Sequence, residues 1–438
     1  MKRALVCLIM ALLTCLGASA AEFCGEWSGI LNVGVASLKL VLHLDKQGDA
    51  YTCTLDSPMQ GAYGIACTAS VQGDVLTVDI PSIGAGYKGT MSGDQTQILG
   101  DFTQMGQSLP LAFKRVVKEV EAPKPYTERE VTIDAGGGVT LAGTFSLPQG
   151  KGPFPAVVLL TGSGTQDRDE TIGDHKPFAQ IADSLTRHGI AVLRCDDRGA
   201  GHSSMASGYE TTADFAKDAL AMLRAIKTYE GVDAARVGYV GHSEGGLIAI
   251  LNATKGVRFI VTLAAPAVKG KDLLMKQNEK VVAAMGGEFD GEMRAAIDAA
   301  LSAVESEDSN SMLVKKLKTL LADMPVGARE AQIAALTSPW YRYFARLDPT
   351  DALKALGACK RVAMLALNGE NDAQVDADQN LPVIKALVPQ AQIRRYPTLN
   401  HLFQECTGDY SSIDYVGIPN PFSPKAIADI IAFITTLK

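Results

Sequence analysis

No CxxC pair and no HExxH run occurs anywhere in these 438 residues, so a structural or catalytic zinc site has no ligands at its usual spacing. Neither a metal nor a cofactor is expected. Basic excess is missing too: the formal net charge is -7. That balance leaves no footprint for nucleic acid and no polybasic patch for anionic lipid. Beyond the N-terminus no run is long and apolar enough to span a bilayer, so stable membrane insertion is not expected. What is present is the composition of a globular chain, 47% hydrophobic and 20% charged, with enough residues for two or three compact units.

The N-terminus carries its own signal. Lys2 and Arg3 precede an apolar run from Ala4 to about Leu16, and Ala18-Ser19-Ala20 supplies the small residues of a signal-peptidase site. Residues 1–20 therefore read as a cleaved export signal, and the mature chain as periplasmic or secreted. Removing the two basic residues takes the net charge from -7 to -9. Cys15 offers a lipidation alternative, for which Leu12-Leu13-Thr14 is a poor approach. Of the eight cysteines, Cys7 and Cys15 leave with the signal, and six enter an oxidising compartment. Cys53 and Cys67 could face each other across a hairpin, and Cys359 and Cys406 border a later segment of interest. Connectivity cannot be deduced from spacing, and buried thiols serve equally well.

Residues 21–120 read as an all-β unit. Short alternating runs such as Leu38–Leu44, Val75–Ile80 and Leu109–Val116 are separated by turn residues. A small barrel or curled sheet is the natural solution, because closure disposes of edge strands. Residues 121–126, with Pro123 and Pro125, read as a stiff linker. From there the pattern alternates. Continuous apolar runs (Ala156–Leu160, Ile190–Leu193, Val237–Val240, Phe259–Leu263, Val362–Leu367) are interleaved with helical stretches. Runs of that kind imply a largely parallel sheet with helices on both faces, over 127–268 and 347–438. The interruption at 269–346 is helical in pattern, with Leu313, Leu317, Leu320 and Leu321 spaced along one face, and reads as an inserted cap.

Gly241-His242-Ser243-Glu244-Gly245 falls directly between a buried run and a helical one. A serine on so sharp a turn is pushed above the sheet edge, and the glycines let backbones approach. Such a nucleophile needs a base. Of six histidines, His43 lies in the β unit, His188 closes a helix, and His202 and His175 sit in loops. His242 adjoins the serine but points elsewhere on an elbow. His401, in the loop after the last strand, is the one placed to reach it. The base needs an orienting carboxylate. Asp372 follows the tight turn at Gly369, and Glu370, Asp376 and Asp378 are its neighbouring competitors. The order Ser, Asp, His suits this architecture. For the oxyanion, the expected backbone donors are the amides of Glu244 and of Ser163, the latter in Thr161-Gly162-Ser163-Gly164, with Gly164 as second choice. The adjoining run Asp167-Arg168-Asp169-Glu170 reads as a solvated loop in preference to a polar pocket wall.

Taken together, Gly162-Ser163-Gly164 with Gln166 to Glu170, Asp197-Arg198-Gly199-Ala200-Gly201, the GHSEGG run, Gly369 to Val375 and Asn400-His401 resemble bacterial α/β hydrolases. The resemblance is to the serine aminopeptidase-like group and, within it, to thermophilic carboxylesterases acting on short acyl esters. It spans about Tyr126–Lys438, and some bacterial members are similar over the β unit as well. Thr161 departs from the pattern, standing where many relatives have histidine. The resemblance implies hydrolysis of a small acyl ester through an acyl-serine. Peptidase or acyl-peptide hydrolase action on a short peptide-like substrate is the nearest alternative, and a non-catalytic binding protein a remote one. Oligomeric state is not legible, and family membership says little about substrate.

Overall fold

The computed structural model describes residues 22–33, 36–48, 50–57, 62–116, 123–407 and 412–437. The export-signal reading at 1–20 and the first two linker positions lie outside the described residues. The chain divides into two compact units, Met1–Glu119 and Val120–Lys438.

The first unit is a closed eight-stranded antiparallel barrel. Strands β1 (Gly25–Val33), β2 (Ala36–Gln47), β3 (Ala50–Ser57), β4 (Ala62–Gln72), β5 (Val75–Ile80), β6 (Ala85–Met91), β7 (Gln97–Gln104) and β8 (Gln107–Arg115) follow one another as a meander. β1 meets β8 through Trp27 opposite Arg115 to close it. Alternation drives the closure: Leu76, Val78 and Ile80 point inward from β5 and join Trp27, Tyr87 and Phe113 in a filled interior. The buried hydroxyl of Tyr87 donates to the carbonyls of Ile98 and Leu111, at 2.8 and 3.2 Å. Cys53 and Cys67 stand opposite each other across β3 and β4, and no disulfide joins the described cysteines.

The second unit is a mostly parallel sheet with helices on both faces. Its elements are β9 (Tyr126–Gly136), β10 (Val139–Pro148), β11 (Phe154–Leu160), α1 (Pro177–Arg187), β12 (Ala191–Cys195), α2 (Thr212–Ile226), β13 (Val232–His242), α3 (Glu244–Asn252) and β14 (Phe259–Leu263). Then come α4 (Gly270–Ala284), α5 (Gly291–Ser306), α6 (Asn310–Leu320), α7 (Val326–Leu336), α8 (Pro339–Arg346), α9 (Thr350–Ala358), β15 (Ala363–Gly369), α10 (Ala377–Leu387), β16 (Gln392–Tyr396) and α11 (Pro424–Thr436). The sheet order is β16-β15-β14-β13-β11-β12-β10-β9, parallel from β16 through β12 and antiparallel beyond.

Period-two alternation along β11 explains the layering. Val157 and Leu159 face α1, α11 and the cap, while Ala156, Val158 and Leu160 face α2, α9 and α10. Each buried Val or Leu there contributes roughly 1.5–3 kcal/mol relative to exposure. Because β12 and β13 flank β11 on opposite sides, the loops leaving β11 and β13 part in different directions. A crevice opens at such a switch point, beyond the carboxyl ends of the strands.

Helices α4 to α8 form the cap. Leu301, Val304, Leu313, Leu317, Ile333 and Phe344 share one core cluster with the sheet side chains Val261 and Leu365. Leu320 departs from the expected stripe. It is the last residue of α6 and 44% exposed, because the helix ends before its face can be covered. At the base of the cap the amide of Gly270 donates to the carbonyl of Leu347, tying entry to exit.

Candidate active site

Ser243 occupies the single position between β13 and α3, with φ +52° and ψ -118°. A non-glycine residue held there is strained, and such strain persists only where the surroundings over-determine it. The surroundings are the glycines. A Cβ on Gly241 would stand 2.2 Å from the carbonyl oxygen of Gly245, and one on Gly245 would stand 2.1 Å from that of Leu160. Strand, turn and helix therefore pass closer than any side chain permits. The Ser243 amide donates to the Leu263 carbonyl at 2.8 Å, which fixes the turn to β14.

His401 and Asp372 meet in the interior, 2% and 1% exposed. His401 Nδ1 lies 2.8 Å from Asp372 Oδ2. Asp372 Oδ1 accepts the amides of Gln374 and Val375, both at 2.8 Å, and Oδ2 also takes Asn368 Nδ2 at 3.2 Å. A carboxylate only accepts, so Nδ1 of His401 is the donor and Nε2 remains an acceptor. The three competing acids are committed elsewhere. Glu370 and Asp378 both pair with Arg395, at 3.0 and 2.7 Å. Asp376 caps α10 through the Gln379 amide and pairs with Lys280 at 2.7 Å.

The loop bearing His401 is shaped by Asn400, whose Oδ1 accepts the amides of Leu402 and Gln404, both at 3.0 Å. The other histidine of the elbow touches this loop. His242 Nε2 is 3.0 Å from the His401 carbonyl, and the two rings are 4.7 Å apart. The residue before Ser243 is thus in contact with the proposed base.

The loop after β11 lies against Ser243. A Cβ built on Gly162 would be 3.4 Å from Ser243 Cβ. Gly162 gives its own amide to Glu170 Oε1 at 2.7 Å. Ser163 follows on the exposed side. Glu244 opens α3, where first-turn amides have no intrahelical acceptor and the dipole end is positive. Thr161, the departure from the resembled pattern, donates to Asp197 at 3.0 and 3.1 Å and so anchors the start of this loop. Burial pushes the Asp197 carboxyl up to about 7, although the Gln166 amide and Thr161 hydroxyl oppose the rise.

The run Asp167 to Glu170 is not a solvated loop. Arg168 bonds Asp196, Glu130 and Thr144, Asp169 pairs with Arg194 at 2.9 Å, and Glu170 is 2% exposed. Its counter-charges come from β9, β12 and the segment after β12, so the run is pulled inward. The cap contributes Trp340, whose Nε1 donates to both carboxylate oxygens of Glu244 at 2.9 Å. Its ring stacks on Phe344 at 5.2 Å, while Phe344 itself is in the core and Tyr343 is exposed. Glu170 and the Glu244 side chain were not singled out for this role from sequence. The only local signal was the unusual density of charge beside Gly162-Ser163-Gly164.

Residues 172–405, more than half of the chain, match the family described as serine aminopeptidase, S33. The chain belongs to that family of α/β hydrolases. Esterase EstD of Thermotoga maritima is 28% identical over 340 residues, covering 75% of this chain and 75% of its own. Esterase FrsA of Yersinia enterocolitica is 28% identical over 148 residues, 34% of this chain and 33% of that protein. Among solved structures, esterase RhEst1 from Rhodococcus sp. ECU1013 aligns with a TM-score of 0.39 at 23% identity, covering 72% of this chain and 100% of its own. No described helix is long and apolar enough to cross a membrane. Among the described residues, no group of three or more His, Cys, Asp or Glu is arranged to hold a metal ion.

Proposed function

We propose that this family member hydrolyses carboxylic esters of small acyl groups through an acyl-serine intermediate. The observation that carries the reading is the buried Asp372–His401 couple held against the Ser243 elbow through His242. Ser243 Oγ attacks the ester carbonyl as its proton passes to His401 Nε2. Asp372 keeps the proton of Nδ1 in place and stabilises the imidazolium. The amides of Glu244 and Ser163 receive the oxyanion. Collapse breaks the bond to the alkoxy group, which leaves with the proton from His401. Water then repeats the sequence on the acyl-serine and releases the carboxylic acid.

Amide hydrolysis of short peptide-like substrates is the second reading, favoured by the family's own description. Parallel turnover of an acyl-ester series and an aminoacyl-amide series by the mature protein separates the two. Higher kcat/KM on the esters is expected, and preference for the amides reverses the assignment.

Export is part of the proposal. It is supported by the basic Lys2-Arg3, the apolar run to Leu16 and Ala18-Ser19-Ala20. N-terminal sequencing of the protein recovered from the native cell should begin at residue 21, and an intact Met1 or Lys2 start contradicts it.

A further inference from the structure

Behind the Asp372–His401 couple lies a second buried carboxylate–imidazole pair that the reaction scheme does not use. Glu170 Oε1 is 2.8 Å from His242 Nδ1, and the same oxygen accepts the Gly162 amide at 2.7 Å. On the other side of the ring, Nε2 faces the His401 carbonyl at 3.0 Å. Two side chains thus touch each of the three segments on which the chemistry depends: the loop after β11, the nucleophile turn and the loop of the base.

The proton inventory of the pair is constrained. A carbonyl oxygen only accepts, so Nε2 of His242 carries a hydrogen. Nδ1 faces an oxygen that also accepts the Gly162 amide, so the hydrogen between the two groups lies on Nδ1. Burial is the largest single influence and works against a charged His242, yet the charge and hydrogen bond of Glu170, the His401 carbonyl and Asp372 together outweigh it. The groups facing the ring are therefore Glu170, His401 and, at longer range, Asp372.

Glu170 is also held in an unfavourable backbone conformation, φ +53°. Its amide donates to the Asp167 carbonyl, and its flanks are pinned by the ion pairs of Arg168 and Asp169. A buried acid with left-handed backbone is strain that the surrounding contacts sustain. Its side chain is what reaches the gap between Gly162 and His242.

We propose that Glu170 and His242 are positioning residues, a brace that sets the oxyanion loop and the base loop at fixed spacing from Ser243. The inference rests on the serine-hydrolase reading above. It acts through the orientation of the Ser163 amide and the main chain of His401, so its effect falls on the transition state and not on ester binding. Reach matters more than charge. A glutamine keeps the length, and its carbonyl in the place of Oε1 can accept both the Gly162 amide and the hydrogen on Nδ1 of His242. An aspartate keeps the charge and tolerates positive φ, but is one methylene too short to meet both partners.

The test compares Glu170→Ala, Glu170→Gln and Glu170→Asp, with active sites counted by fluorophosphonate titration and turnover followed on one short-chain ester. Alanine is expected to lower kcat by about 10²-fold, comparable to loss of one oxyanion donor, with KM changed less than about threefold. Glutamine should stay within about fivefold of wild type, and aspartate should fall below glutamine by about tenfold. Where the alanine variant fails to fold, the order of glutamine over aspartate decides. Aspartate equal to or better than glutamine overturns the brace, as does an alanine variant with wild-type kcat. A wild-type protein that takes no label at Ser243 instead removes the hydrolase reading, and this inference with it.

Discussion

The indole N–H of Trp340 bridges both carboxylate oxygens of Glu244 at 2.9 Å, which joins the cap to the residue that follows Ser243. Thr212 donates to the same carboxylate at 2.6 Å, and burial holds the Glu244 carboxyl above the usual range despite these donors. Ser338 caps α8 by accepting the Tyr341 amide at 3.2 Å, and so fixes the turn from which Trp340 projects.

Trp340→Phe keeps a ring and removes the donor, leaving a buried acceptor short of one partner. Stability should fall by about 1–3 kcal/mol in urea unfolding. Relative kcat/KM across a chain-length series of esters should shift more than the rate of fluorophosphonate labelling, if the cap bounds the acyl site. An unchanged midpoint together with an unchanged chain-length profile contradicts the role. Excising 269–346 is a blunter experiment, because Leu301, Val304 and Phe344 belong to the same core as the sheet.

Asp372→Asn should lower kcat by about 10³–10⁴-fold, because an amide in this site can no longer hold Nδ1–H of His401. Asp376→Asn should leave kcat within about twofold and cost no more than about 1 kcal/mol, since asparagine also caps helices and only a part-exposed pair with Lys280 is lost. Steady-state kinetics on the two variants rank the acids, and a reversed ranking moves the orienting role to Asp376.

Burial raises Asp197 to about 7 in the folded protein, above its ordinary carboxylate value. The folded state then binds more protons than the unfolded one between about pH 4 and 7, and stability falls as pH rises through that window. Asp197→Asn removes the titration. The urea midpoint of wild type relative to this variant should be higher at pH 5 than at pH 8. A wild type that gains on the variant toward pH 8 contradicts the assignment.

The parts legible in sequence are those fixed by contacts close along the chain or by periodicity. The elbow was readable because Gly241 and Gly245 are local steric requirements, and the sheet because β11 to β15 are apolar on both faces. The barrel followed from alternation between turns. What was not legible depends on partners far apart in the chain. Glu170 meets His242 across 72 positions and Trp340 meets Glu244 across 96. Arg168 finds Glu130 and Asp196 at 38 and 28 positions, so its run looked like surface charge. Leu320 fits the helical stripe but falls at the terminus of α6, where periodicity no longer predicts cover.

The central claim is that Ser243 is the nucleophile. Its most direct test is the intact mass of wild type and Ser243→Ala after reaction with a fluorophosphonate, read beside their turnover of a short-chain ester. The account predicts one adduct on wild type, located at Ser243, none on the variant, and a loss in kcat on the order of 10⁴–10⁶. An adduct on the variant, or turnover near that of wild type, would contradict it.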